Sequence, residues 1–127
     1  SLNEIYNSPT TYNESVLFSH RDKDLKTIVL GWKEISRRYD FDDISWLYDI
    51  DFEMLKKDKI DKFICTGPQK YDLATRLKYA GFDEKKIICF DNLYKAEKII
   101  KRSSGSIYAI LNFDYLDFFN DIMKEEK

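Results

Sequence analysis

The chain has 127 residues, of which 43% are apolar, 16% aromatic and 35% charged, and its 21 basic and 23 acidic side chains leave a formal net charge of −2. That size fits one compact domain with a core of its own, spanning residues 1–127. The near-balance of charge lacks the Lys/Arg excess of a nucleic-acid module, no apolar run approaches the ~20 residues of a membrane span, and four Gly and two Pro with abundant aromatics exclude low complexity and disorder.

The chain opens Ser1-Leu2 with neither an initiator Met nor a signal peptide, and reads as a fragment of something longer in which Ser1 is a tag scar. Thr11-Tyr12-Asn13-Glu14 fits a capping box that opens a first helix running to about Ser19. From there, short apolar runs alternate with stretches of helical spacing, the mark of a parallel α/β sheet. Strands are expected at Lys26 to Gly31, Ile44 to Tyr48, Lys62 to Thr66, Lys86 to Phe90 and Ser106 to Leu111. Several are apolar on both faces, as strands covered by helices on both sides should be. Between them, Gln69 to Ala80 puts Leu73, Ala74, Leu77 and Ala80 on one face, with Gly81 as a left-handed stop. Asn92 to Arg102 turns Leu93, Ala96, Ile99 and Ile100 inward, and a last helix is expected from about Phe113 to Lys124.

Familiar catalytic and binding motifs are missing. The glycines are Gly31, Gly67, Gly81 and Gly105, the closest two 14 positions apart, so neither a dinucleotide fingerprint nor a P-loop exists. His20 is the sole histidine and reads as an exposed residue at a helix C-terminus, which leaves no self-contained Ser-His-Asp or Cys-His unit and no metal site. Cys65 and Cys89 sit in apolar runs and read as buried reduced thiols, with no disulfide framework and no zinc knuckle.

The informative stretch is Asp40 to Glu53, DFDDISWLYDIDFE, which holds six acids and no base around Trp46. Turn-forming Asp residues followed by a strand with Ile44, Trp46 and Tyr48 on one face account for most of it, and Asp51 is placed to cap a short following helix. Asp49 is less easily explained. A carboxylate at the C-terminal end of a parallel strand is where α/β sheets place functional groups.

Ile44-Ser45-Trp46-Leu47-Tyr48-Asp49-Ile50-Asp51-Phe52-Glu53 resembles the Val-Ser-Trp-Ile-Trp-Asp-Val-Asp-Phe-Glu signature of the MurT C-terminal domain family. A second run, Thr66-Gly67-Pro68-Gln69-Lys70-Tyr71-Asp72-Leu73-Ala74-Thr75-Arg76-Leu77-Lys78-Tyr79-Ala80-Gly81, is similar to the family's Ser-Gly-x-Arg-x-Tyr-Asp-Met-Ala-x-Arg-Leu-Lys-Tyr-Ala-Gly. Weaker echoes lie at Pro9 to Glu14 (family Pro-Ala-Gly-x-Asn-Glu) and at Tyr108 to Leu116.

The resemblance implies a Rossmann-like three-layer sandwich of the Mur ligase C-terminal type, with a mostly parallel sheet of about five or six strands. It implies a cytoplasmic, cell-wall-building amide ligase, lipid II isoglutaminyl synthase. In that family an upstream domain uses ATP and Mg to activate the D-glutamate α-carboxylate of the lipid II stem peptide. A GatD-like glutaminase partner supplies ammonia, and D-isoglutamine results. It further implies that this domain docks the glutaminase and lends an Asp to its Cys-His pair. Asp49 is the matching position and Asp43 the second choice, with Ser45, Trp46, Tyr48, Tyr71, Asp72 and Arg76 as interface or structural signature residues. The isolated domain is expected to be inactive.

The pattern is broken in places. Gln69 replaces the family's Arg, removing a phosphate or carboxylate fork that an amide does not reproduce, Tyr48 replaces a Trp, and Phe41 replaces a Gly. The alternative is a stand-alone, non-catalytic Rossmann-like binding module derived from the same family. A receiver-type signalling domain is disfavoured because the last strand ends in Asn112 with no Lys.

Overall fold

The structure is a computed structural model that describes residues 2–5, 9–31, 45–103 and 105–111, with the backbone alone for 2–5, 9–11, 45 and 46. Strands β1 (Leu2–Ile5), β2 (Lys26–Gly31), β3 (Ile60–Thr66), β4 (Ile87–Cys89) and β5 (Ser106–Leu111) form one sheet, all pairs parallel, in the order β1-β5-β2-β3-β4. Helices α1 (Pro9–Arg21), α2 (Lys70–Tyr79) and α3 (Leu93–Arg102) connect them.

The two-residue alternation of the strands divides the core. Ile28, Leu30, Phe63, Cys65, Tyr108 and Ile110 pack with Tyr12 and Val16 of α1 and Leu73 and Leu77 of α2. Val29, Ile64, Ile107, Ala109 and Leu111 pack with Leu93, Ala96 and Ile100 of α3. The result is the expected three-layer α/β/α sandwich. Handedness explains which helix lies where. The steps β1 to β2 and β3 to β4 run the same way along the sheet, and α1 and α2 share a face. The step from β4 to β5 runs back, and α3 lies on the other face, as right-handed crossovers require.

Local signals set two helix ends, of which the stop at Gly81 was expected. Asn92 caps α3, its side chain accepting from Lys95 N at 3.1 Å. Gly81, at φ 98°, ends α2 in a Schellman turn in which Gly81 N donates to Lys78 O (2.9 Å) and Phe82 N to Leu77 O (3.2 Å). The first helix starts earlier than expected, at Pro9, so Thr11 falls inside its first turn instead of capping it; proline's fixed φ suits a first helical turn. β1 went unrecognised at the sequence level, and the helix expected at Phe113 to Lys124 lies outside the described residues.

The strand expected at Ile44 to Tyr48 is a correction. Ser45–Asp49 and Phe52–Leu55 are two short 3₁₀ helices, and they lie in the helical layer with α1 and α2, on the crossover from β2 to β3. The buried residues are Leu47 and Ile50, then Phe52 and Leu55. Each pair is three apart, the 3₁₀ period. Of the residues expected on one strand face, Tyr48 is exposed, while Ile44 and the Trp46 side chain lie outside the described residues. A crossover between adjacent parallel strands must also pass over a face of the sheet, which a further strand would not do.

Lys26, at the start of β2, is wholly buried. Its ammonium donates to Ser19 O (2.5 Å), Asp22 O (2.7 Å) and Asp58 Oδ2 (2.8 Å). Asp58 also accepts from His20 Nδ1 at 2.9 Å, so His20 is a half-buried structural residue rather than the exposed one expected. Burial pushes the Asp58 carboxyl up, but Lys26 and His20 more than offset this and hold it below its ordinary value. A folded-state pKa below the unfolded one stabilises at all pH values above the ordinary carboxylate range and is lost as pH falls through the folded value. Urea unfolding midpoints should therefore fall progressively below about pH 4. Asp58→Asn should show a shallower acid loss from a lower starting point, and an equal acid loss in both proteins would contradict this.

Candidate functional site

The segment around Asp49 is held by side chains from outside it. Arg76, in the last turn of α2, is 2% exposed. Its Nε donates to Leu47 O (2.9 Å) and one terminal nitrogen donates to Ile50 O (2.7 Å). The same fork closes on Glu53, with NH1 to Oε2 at 3.0 Å and NH2 to Oε1 at 2.6 Å. One planar guanidinium thus grips both 3₁₀ helices, a geometry that suits Arg and not Lys. The hydrogen bonds from Arg76 hold the Glu53 carboxyl below its ordinary value.

A second clamp comes from α1. Asn13 Nδ2 donates to Asp49 O (3.0 Å), and Asn13 Oδ1 accepts from Asp51 N (2.8 Å). Asp51 stands at the N-cap position of Phe52–Leu55 as expected, but its side chain makes no cap bond; its amide, held by Asn13, is the part that matters.

Asp49 is the last residue of the first 3₁₀ helix, and its side chain is exposed. Its carbonyl is fixed by Asn13, while among the described residues nothing pairs with its carboxylate. Beside it lies an aromatic surface. Tyr48 and Tyr79 meet edge to face with centroids 5.3 Å apart, and the Arg76 guanidinium carbon lies 5.2 Å from the Tyr48 ring centre and 5.8 Å from that of Tyr79. Tyr48 and Tyr79 are 45% and 73% exposed. Exposed tyrosines backed by a fixed cation are a composition enriched at protein interfaces.

The remaining signature residues divide. Tyr71 is exposed, with the Lys70 ammonium 4.7 Å from its ring centre, and Asp72 lies in the first turn of α2, where an acid suits the helix dipole. Ser45 and Trp46 lie in the first 3₁₀ helix with Asp49, and Asp43 lies outside the described residues. The structure therefore brings Tyr48, Asp49 and Arg76 together and leaves Tyr71 as a separate surface residue. Asn13, Glu53 and Tyr79 had been given no role; the Asn-Glu of the Pro9 to Glu14 echo was the available sign for Asn13.

The turn from β3 into α2, Thr66-Gly67-Pro68-Gln69, is where a phosphate loop would sit. It carries one Gly and a Pro, and Gln69 Oε1 is a buried acceptor without a partner among the described residues. A single Gly does not give the run of free backbone amides that closes on a triphosphate, so this turn does not fit that of ATP. Among the described residues no cluster of His, Cys, Asp or Glu could hold a metal ion, and no helix is long and apolar enough to cross a membrane.

Comparison with known proteins gives a single answer. The family model described as MurT ligase C-terminal matches residues 5–116. The lipid II isoglutaminyl synthase (glutamine-hydrolyzing) subunit MurT of Staphylococcus aureus strain COL, and that of strain N315, are each 40% identical over 74 residues, 58% of this chain. The match spans 17% of the length of those curated relatives.

Proposed function

Because the chain belongs to the MurT ligase C-terminal family, we propose that it is the glutaminase-docking domain of an amide ligase subunit. The whole protein, acting in the cytoplasm, would amidate the D-glutamate of the lipid II stem peptide with ammonia from a GatD-like glutaminase. ATP and Mg are assigned to other parts of that subunit. The observation that carries the proposal is the exposed Asp49 carboxylate on a turn clamped from beneath by Arg76 and from the side by Asn13.

An aspartate so presented has a defined task in a partner's Cys-His pair. Accepting from the imidazole Nδ1–H, it fixes the tautomer that takes the thiol proton and stabilises the imidazolium that forms. The domain itself breaks no bond. Because the carboxylate arrives with the second chain, glutamine hydrolysis depends on assembly, and ammonia is released only where an acceptor is at hand. Tyr48 and Tyr79 supply contact area next to it, and their side chains lose little entropy on binding.

Docking is tested by titrating the full-length subunit into the glutaminase and reading the complex by native mass spectrometry. The double variant Tyr48→Ser/Tyr79→Ser should fold normally, since both rings are exposed, and should bind at least about tenfold more weakly, the ~1.4 kcal/mol of a modest aromatic hot spot. Unchanged affinity would remove this surface from the interface.

A further inference from the structure

Cys65 and Cys89 lie 24 positions apart in the chain but are register partners on the adjacent parallel strands β3 and β4. Both are free, and both belong to the face of the sheet covered by α2. Cys65 is fully buried, whereas Cys89 is partly exposed on the edge strand, its Sγ 3.7 Å from the Lys70 carbonyl in the first turn of α2. Facing residues on neighbouring strands are separated by about 4.7–4.9 Å, inside the ~4.4–6.8 Å between Cα atoms that a disulfide spans. Closing the pair needs the strands to approach by only the few tenths of an ångström that separate this spacing from the ~3.5–4.5 Å between the Cβ atoms of a disulfide.

The two thiols are unequal. The hydrogen bond from Cys65, followed by the nearby ammonium groups of Lys70 and Lys78, pulls Cys89 down to about 7. The Cys65 thiol, tied to Cys89 and buried, is pushed up well above its ordinary value. At pH 7 a thiol with the Cys89 value carries roughly 15-fold more thiolate than an ordinary one of pKa about 8.5. One residue is thus partly exposed with its thiol drawn toward ionisation, and the other is buried at the facing position with its thiol held protonated.

We propose that Cys65 and Cys89 are a peroxide-responsive dithiol in which Cys89 attacks and Cys65 resolves. The Cys89 thiolate attacks one oxygen of hydrogen peroxide, the O–O bond breaks, and a sulfenic acid forms with release of hydroxide, which takes up a proton to give water. Cys65 sulfur then displaces the sulfenic hydroxyl, the S–S bond forms, and the Cys65 proton leaves with that hydroxyl as water. With hydrogen peroxide the sum is two thiols oxidised by two electrons and one peroxide reduced to two waters. The product ties the edge strand β4 to β3 where β3 leads into α2, the helix that carries Arg76. A thiol reductant restores the starting state by exchange.

The test is peptide mapping of the full-length protein after brief exposure to a few equivalents of hydrogen peroxide at pH 7. The expected product is a peptide pair joined through Cys65 and Cys89, lighter by about 2 Da than the reduced pair and reverted by dithiothreitol. Cys89→Ser should abolish the cross-link and leave Cys65 unmodified. Cys65→Ala should leave Cys89 as a sulfenic acid captured by dimedone. In the unmodified protein, iodoacetamide labelling of Cys89 should reach half its maximal rate near pH 7, a measurement that needs no variant. Cys89 that stays reduced, or that proceeds to sulfinic acid without cross-linking to Cys65, would overturn the proposal.

Discussion

Arg76→Leu is expected to lower folding stability by about 3–5 kcal/mol, the usual cost of removing one partner from a buried charged network. The guanidinium satisfies Leu47 O, Ile50 O and both oxygens of Glu53. Leucine fills part of the space and satisfies none of them. The two orphaned carbonyls account for most of the loss, at about 1–3 kcal/mol each. Glu53 contributes less, because its side chain is 44% exposed and rehydrates when released. Arg76→Lys should fall between, since a single ammonium reaches one or two of these acceptors but does not reproduce the fork. Urea unfolding of the three proteins checks this order. A loss under about 1 kcal/mol for the leucine variant would show that Leu47–Glu53 is held by its apolar packing alone. The same variant should weaken any function that depends on where Asp49 sits, because the carboxylate loses its support from beneath.

Strand and helix positions were largely legible, because they follow from local features. The apolar runs Ile28-Val29-Leu30 of β2 and Ile107 to Leu111 of β5 announce central parallel strands, and Asn92 and Gly81 mark helix ends through chemistry contained within a few residues. What was illegible depends on contacts between distant positions. Arg76 was recognisable as part of a motif, but its acceptors lie 23 to 29 positions earlier, and its role as a clamp exists only once α2 is laid beside the 3₁₀ segment. Asn13 likewise meets Asp49 and Asp51 across 36 and 38 positions. Cys65 is the buried free thiol expected, whereas Cys89, also expected to be buried, is partly exposed because β4 is short and lies at the end of the strand order; sheet register alone brings the two together. The Ile44 to Tyr48 error has a different cause. A stretch with apolar residues at both two- and three-residue spacing supports either period, and burial of Leu47 and Ile50 selected the second. Asp49 was the acid least explained by turn chemistry; its carboxylate is exposed and without a partner among the described residues, and so is that of Asp51.

The second large effect is on glutamine hydrolysis. If Asp49 orients and stabilises the partner's imidazole, Asp49→Asn keeps the size and the turn but loses the charge and favours the wrong tautomer. Such a change in a Ser-His-Asp unit costs about 10⁴ in turnover. Complex formation should persist, since the Asn13 bonds to this segment use the backbone at Asp49 and Asp51 and survive the substitution. Folding stability should also be nearly unchanged, because the side chain is exposed. Separating hydrolysis from binding in this way distinguishes a positioning carboxylate from a mere contact residue, for which the loss would appear in affinity first.

The most direct measurement is therefore steady-state glutaminase activity of the assembled complex, at saturating subunit, for the parent, Asp49→Asn and Asp43→Asn proteins. The expected result is a fall of about 10³-fold or more for Asp49→Asn with the complex intact, and near-parent activity for Asp43→Asn. Undiminished hydrolysis in the assembled Asp49→Asn complex would contradict the assignment, and loss confined to Asp43→Asn would move the carboxylate to that residue.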